Sequence, residues 1–305
     1  MKKFALPLQR YDLKKWLPYV FLATSQLMVA FNVVGSKVVA THMPLLLAVF
    51  LRFSFATLII FSLYLLKGDV KRSHFKLSGK QWLLLMAQGL SAGALFNLFL
   101  IMGLQYTSAS MAGMIISTLP AVIAMAAVFF LKERLSTYQK IGILLAIFGL
   151  LVINQGNNGG LNLASHSQEF IGIMFILLSL IPETSYYLLS KKFPVELPML
   201  VFSGILNGIN VVALLPFMLF QPAATFANID LTSVEILFLT GLASAVFYIS
   251  WSKGIKHVSA ANAGLFTALS PLMTVLIAAL TLGEHINVYQ GFGMLFVIFS
   301  ILLSK

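Results

Sequence analysis

Cysteine is absent from this 305-residue chain, which excludes disulfides, thiol nucleophiles and cysteine-ligated metal sites. Charge is nearly as scarce. Charged residues make up 10% of the chain, against about 25% in an ordinary soluble domain. No polar stretch is long enough for a separate aqueous domain, because ten spans of about 20 residues would leave only about 100 for termini and loops. Negative charge is the scarcest of all, with 9 acidic against 20 basic residues and a net charge of +11. What fills the chain instead is apolar: 59% hydrophobic residues and a mean hydropathy of +0.95. Water cannot host that much exposed hydrocarbon, whereas a bilayer can. The reading is an all-α integral membrane protein.

The apolar runs place spans at about 17–37, 44–66, 81–103, 108–131, 138–154, 170–190, 198–220, 234–254, 259–282 and 287–304. They do not alternate as barrel strands would, and a helix satisfies its own backbone hydrogen bonds in lipid. The start Met1-Lys2-Lys3 is like that of a signal peptide, but charge continues to Lys15 and no small-residue cleavage site follows, so the first span reads as uncleaved. With ten spans, every basic residue except Lys37 and Arg52 falls on one side of the membrane. Both termini are therefore expected in the cytoplasm, in a multi-pass protein of the cell (inner) membrane. The positive charge is a topology signal and not a nucleic-acid surface, since no basic, aromatic-interleaved patch occurs.

The chain also repeats itself. Residues 103–151 align without a gap to 254–302, pairing Gly103 with Gly254, Pro120 with Pro271, Glu133 with Glu284, Tyr138 with Tyr289 and Gln139 with Gln290. Shared hydrophobicity does not produce paired Pro, Glu and Tyr-Gln at one register. Five spans separate the copies, an odd number, so the expectation is two inverted five-helix repeats. Lys132 and Arg134 flank Glu133, whereas Gly283 and His285 flank Glu284, each set suited to its own side. The organisation is then a cytoplasmic segment 1–16, a first repeat 17–154, an outer linker 155–169 and a second repeat 170–305. Inverted repeats are the common architecture of alternating-access carriers, with the solute at mid-membrane.

The run Ser108-Ala109, Ala112-Gly113, Pro120, Glu133-Arg134-Leu135-Ser136, Gly142, with its copy Ser259-Ala260, Ala263-Gly264, Pro271, Leu282-Gly283-Glu284, Gly293, resembles the EamA-type pattern of the drug/metabolite transporter superfamily. Lys37, Pro44 and Arg52-Phe53 are similar to that family's first-to-second helix segment. The resemblance covers nearly the whole chain. It implies ten helices, both termini inside and, often, export of amino acids or related metabolites. Pro182-Glu183 departs from the small or aromatic residues usual there.

Among the nine acidic residues only Glu183 sits mid-span. A charge at the bilayer centre costs about 2.5 kcal/mol or more, so Glu183 is read as a proton carrier or a counter-ion for a cationic amine, or else as a paired structural carboxyl. Ser179, Glu183, Tyr186 and Ser190 share one face of the sixth span. At an offset of 154 the first span places Ser25, Val29, Asn32 and Ser36 on the equivalent face. Asn32, Glu183 and Tyr186 are assigned to a central cavity and the serines to interhelical bonding. Gly89, Gly93 and Asn97 form a stripe in the third span, and at the 151-residue offset Gly93 and Asn97 correspond to Ser244 and Tyr248 in the eighth. There Asn97, Tyr248 and Trp251 are further contact candidates, as are Phe266 and Ser270 in the ninth. Arg52 either attracts a substrate carboxylate or ties down backbone carbonyls. Pro120 and Pro271 are expected to kink spans four and nine, as gates or as packing features.

Secondary transport of a small solute follows as the reading, with a carrier of anionic or phosphorylated metabolites or of drugs, or a non-transporting scaffold or scramblase, as alternatives. No catalytic, metal or cofactor motif is found, so neither an enzyme nor a cofactor is expected; a monomer is compatible. The topology is checked with reporter fusions. A periplasm-dependent phosphatase is expected to be inactive after Lys305 or after Lys192 and active after Gln155; activity at Lys305 would reverse the assignment.

Overall fold

Hydrocarbon offers the backbone no hydrogen-bond partners, so every spanning segment must close its own ladder, and the described residues form helices throughout. The structure, a computed structural model, describes residues 13–39, 42–67, 75–107, 109–155, 167–221, 230–283 and 285–303. Ser108, Glu284, Lys2, Lys3, Arg10, Lys305 and the centre of the linker lie outside them. The helices are α1 (Leu13–Val39), α2 (Leu45–Leu66), α3 (Gly79–Leu90), a π-helical turn (Ser91–Leu95), α4 (Phe96–Leu104), α5 (Ala109–Ile116), α6 (Leu119–Leu131) and α7 (Thr137–Gln155). The second half continues with α8 (Ser167–Lys192), α9 (Met199–Leu219), α10 (Leu231–Ile255), α11 (Ala260–Phe266), α12 (Leu269–Leu282) and α13 (Val288–Leu303). Among the described residues, 7 helices are long and apolar enough to cross a membrane, and Leu119–Leu131, Thr137–Ile153 and Val288–Leu303 are shorter apolar helices. Large apolar side chains such as Leu66, Phe129, Phe220 and Leu280 stand on the outer surface. Such a surface is stable against acyl chains and not against water. The chain is a multi-pass membrane protein.

The expected kinks at Pro120 and Pro271 take the form of two-residue turns that interrupt the helix just before each proline. Helix stops at Ile116 and restarts at Leu119, and stops at Phe266 and restarts at Leu269. Each proline lies in the first turn of the new helix, where its missing N–H has no ladder partner to lose. Hydroxyls accompany the interruption: Ser117 donates to Gly113 O at 2.7 Å, Thr118 to Ile115 O at 2.7 Å and Thr267 to Gly264 O at 2.6 Å.

The internal repeat reappears as matched local structure. Ser136 and Gln139 cap α7 reciprocally (2.8 and 3.2 Å), and Asn287 and Gln290, their equivalents, cap α13 (3.0 and 2.8 Å). Lys132 and Gly283, also equivalent, both end their helices in the left-handed region, with φ of 56° and 69°. That conformation is free for glycine and strained for lysine.

Packing matches as well. α10 lies along α1, and α4 lies along α8. A methyl group built on Gly254 would sit 2.7 Å from Leu22 Cγ and 2.8 Å from Pro18 O; on Gly103 it would sit 2.8 Å from Ile176 Cγ1 and 3.0 Å from Gly172 O. Pro18 and Leu22 are the residues that correspond to Gly172 and Ile176 at the 154-residue offset. In each pair the end of one helix meets the start of the other, so both pairs run antiparallel. Lys37 and Leu104 line one cavity at one end of the bundle, and Lys191 reaches the Ile255 and Lys256 carbonyls at the other. Small residues let the backbones approach this closely.

Gly254→Val is expected to lower stability by about 1–3 kcal/mol through overpacking against Leu22. Gly291→Ala, with nothing within 4 Å of the added methyl, should be neutral or stabilising. Thermal unfolding of the two purified variants measures both, and equal effects would refute the close crossing.

Candidate functional site

Between α1, α2, the α3–α4 segment, α8 and α10 lies a cavity of about 500 Å³. Five of the expected contact residues line it: Asn32, Arg52, Asn97, Glu183 and Tyr248. It extends from these groups to Lys37, Leu45 and Leu104 at one end of the bundle. Val29 and Ser36, on the stripe read from the first span, also line it; Ser25 is buried and donates to Leu22 O at 2.6 Å within its own helix.

Glu183 is held from below. The Tyr187 hydroxyl, one turn later on α8, donates to Glu183 Oε1 at 2.7 Å. Pro182 is buried beside it and leaves α8 unbroken, although its ring removes the ladder bond to Leu178 O. The guanidinium of Arg52 lies 4.8 Å from the centre of the Phe53 ring, and the residue is 9% exposed. Its Nε has no hydrogen-bond partner among the described residues. A buried donor without a partner is costly, and the residue that carries it lines the cavity. The Tyr248 ring is buried and lines the same cavity as both charges. One cavity therefore presents an acid, a base, amides and an aromatic wall. That set matches a small solute carrying both an amine and a carboxylate.

The π-helical turn was not foreseen, and neither was the residue that makes it. Asn210 on α9 inserts against Gly93, where only a missing side chain leaves room, and its Oδ1 accepts from Ala94 N at 2.7 Å. Its Nδ2 donates to Leu206 O at 2.9 Å and to the Tyr248 hydroxyl at 3.3 Å. Asn97 then donates to Gly93 O at 2.8 Å. The wider turn rotates Ala92, Phe96 and Asn97 onto the cavity wall, a common use of π-bulges. The available signal was Asn207 and Asn210, two amides three residues apart in an otherwise apolar span.

The remaining candidates lie elsewhere. Tyr186 and Trp251 are fully buried in an aromatic cluster with Tyr187, Phe247 and Tyr248. Trp251 Nε1 donates to Ser190 Oγ at 3.0 Å, while the Tyr186 hydroxyl has no partner among the described residues. Phe266 stacks on Tyr19 at 5.7 Å. Ser270 is 9% exposed, and its carbonyl accepts from Thr274 at 2.8 Å. None of these four borders the cavity; bulk placed Tyr186 and Trp251 in the core. Ser179 bonds to Ile176 O at 2.7 Å in its own helix.

At the bundle end opposite Lys37, the turn from α10 to α11 is clamped. Lys191 Nζ donates to Val258 O at 2.6 Å and to Ile255 O at 3.1 Å, next to the α10 C-terminus. Glu133 accepts from Ala260 N at 2.8 Å and Ala261 N at 3.2 Å at the α11 N-terminus. A cation on helix carbonyls and an anion on helix amides both follow the helix dipoles. Gln139 adds a 2.7 Å bond to Asn262 Oδ1.

Comparison with known proteins gives consistent results. Residues 16–155 and 170–304 each match the EamA-like transporter family. An uncharacterized transporter of Bacillus subtilis is 28% identical over 292 residues, covering 94% of this chain and 86% of that protein. One from Haemophilus influenzae is 34% identical over 221 residues, covering 68% of this chain and 69% of that protein. A solved crystal structure superposes with a TM-score of 0.79 at 15% identity, over 94% of this chain and 96% of that one, and shows the same fold.

Replacing Asn210 by Ala leaves the Ala94 amide unpaired, a loss of about 1–3 kcal/mol. Thermal unfolding of Asn210→Ala should show it, and Gly93→Ala should be at least as harmful. An unchanged Asn210→Ala midpoint would remove the insertion from its assigned role.

Proposed function

The chain belongs to the EamA-like transporter family, and from that premise we propose that it is a secondary carrier exporting amino acids or related small zwitterions across the inner membrane by alternating access. The observation that carries this reading is the single cavity in which Glu183 and Arg52 face the same space beside Asn32, Asn97 and Tyr248. The carboxylate binds a substrate amine, the guanidinium binds its carboxylate, and Tyr248 supplies the flat wall between them. Glu183 also has the chemistry to release its proton when the amine arrives, which would couple export to a proton gradient.

The scaffold proposed is ten spans in two inverted halves, with both termini in the cytoplasm. The end of α1 at Lys37 and the end of α4 at Leu104, against which α8 begins, line one cavity, so α1 and its equivalent α8 run in opposite directions, and this supports the inversion. The lysine-rich end of the bundle is then the inner one. The cavity reaches the outer end at Lys37, Leu45 and Leu104, while the inner end carries the Lys191–Glu133 clamp. That combination supports an outward-facing state with a closed inner gate. The breaks before Pro120 and Pro271 are the proposed hinges, since a two-residue turn bends more easily than a continuous helix.

Loss of one charge-assisted contact, about 1.5–3 kcal/mol, weakens substrate affinity about 10- to 100-fold. Glu183→Gln and Arg52→Met should each show it in counterflow into proteoliposomes across an amino-acid panel. Glu183→Gln should also lose stimulation by a pH gradient. Wild-type flux of every substrate in both variants would sink the proposal.

A further inference from the structure

A second cavity, of about 590 Å³, lies at the bundle end opposite Lys37, between the start of α1, the start of α9 and the end of α10. Lys15, Lys253, Lys256 and His257 line it, and among the described residues no carboxylate does. The rest of its wall is apolar, including Leu17, Pro18, Phe21 and Met199. Lys253 Nζ is seated 5.0 Å over the Phe21 ring, which keeps that ammonium beside α1. The close α1–α10 crossing at Gly254 fixes the two walls relative to each other.

Topology alone asks for positive charge at this end of the molecule, and scattered lysines satisfy it. It does not ask three ammonium groups to converge on one cavity, where they repel one another until an anion joins them. The internal repeat shows whether the packing itself needs the cluster. At the equivalent place in the other half, Lys15, Lys253, Lys256 and His257 correspond to Glu169, Met102, Gln105 and Tyr106. The scaffold therefore does not need the basic cluster. Outward from the cavity, Leu17 (50% exposed) and Val20 (55% exposed) continue the apolar wall along the lipid-facing side of α1. A cationic recess at the helix ends above an apolar ridge has the profile of a lipid headgroup seat.

We propose that this cavity binds a phosphate group, supplied by the headgroup of an anionic phospholipid whose acyl chains lie along the Leu17–Val20 face of α1. Lys253 and Lys256 grip the phosphate from α10 and the turn after it, Lys15 closes on it from α1, and the ligand thereby ties the two halves together beside the clamped turn. The site is separate from the cavity of Glu183 and does not depend on the transport reading.

Native mass spectrometry of the full-length protein tests it, titrating phosphatidylglycerol, phosphatidylcholine with the same acyl chains, and glycerol 1-phosphate. Phosphatidylglycerol is expected to bind about tenfold or more tightly than phosphatidylcholine, with three lysines contributing. The triple variant Lys15→Gln, Lys253→Gln, Lys256→Gln should lose that preference, and the matching triple Arg variant should keep it. An unchanged thermal midpoint of the Gln variant in neutral detergent shows that the fold is intact. Glycerol 1-phosphate competing as well as the lipid would keep the phosphate site but overturn the lipid as its source. Equal binding of the two lipids, or a preference that survives in the Gln variant, would overturn the site.

Discussion

A bilayer supplies no hydrogen bonds, and that single constraint orders most of what this chain does. Where the backbone is regular it needs no help. Where it departs from a helix a side chain stands nearby to compensate: Asn210 at the π-helical turn, the hydroxyls of Ser117, Thr118 and Thr267 at the breaks, and Lys191 and Glu133 at the turn after α10. These polar side chains occur at the few places where the ladder stops. The irregular backbone is also where the molecule has either a cavity wall or a joint.

Arg52 and Glu183 share a cavity yet satisfy themselves separately, one over Phe53 and the other through Tyr187. Two opposite charges facing one space without closing on each other leave both able to meet a third party. An acid and a base locked together would present a neutral, occupied surface instead. The aromatic cluster packed around Trp251 and Tyr186 backs the cavity with fully buried rings.

Much of this was legible in the residues, and the reasons for the gaps are physical. Hydropathy and the repeated Gly, Pro and Gln positions located the helices and the duplication, because they report burial and caps directly. The charged and amide candidates were found because polarity inside lipid is rare. Helical spacing points Tyr186, Phe266 and Ser270 toward the solute, and aromatic character points Trp251 there, but neither tells a cavity wall from the core behind it. The π-turn depends on a partner 116 residues away, and no local pattern announces it. The prolines were read as kinks because spacing says where a ladder bond is lost but not whether the helix resumes one residue or three residues later.

The near two-fold build has an energetic consequence. Two identical halves of opposite orientation would make the outward-open and inward-open shapes mirror descriptions of one structure, equal in free energy and equally populated. Every mismatch between equivalent positions is then a weight on one side of that balance. Glu183 opposite Val29, Asn210 opposite Ala56 and a left-handed Lys132 opposite Gly283 are such weights. The strained Lys132 immediately precedes Glu133, whose carboxylate grips the clamped turn. Its conformational cost is borne in this arrangement and has no counterpart at the relaxed Gly283. On the proposed alternating-access reading, the resting preference lies in the differences between the halves, and their likeness provides the path between states.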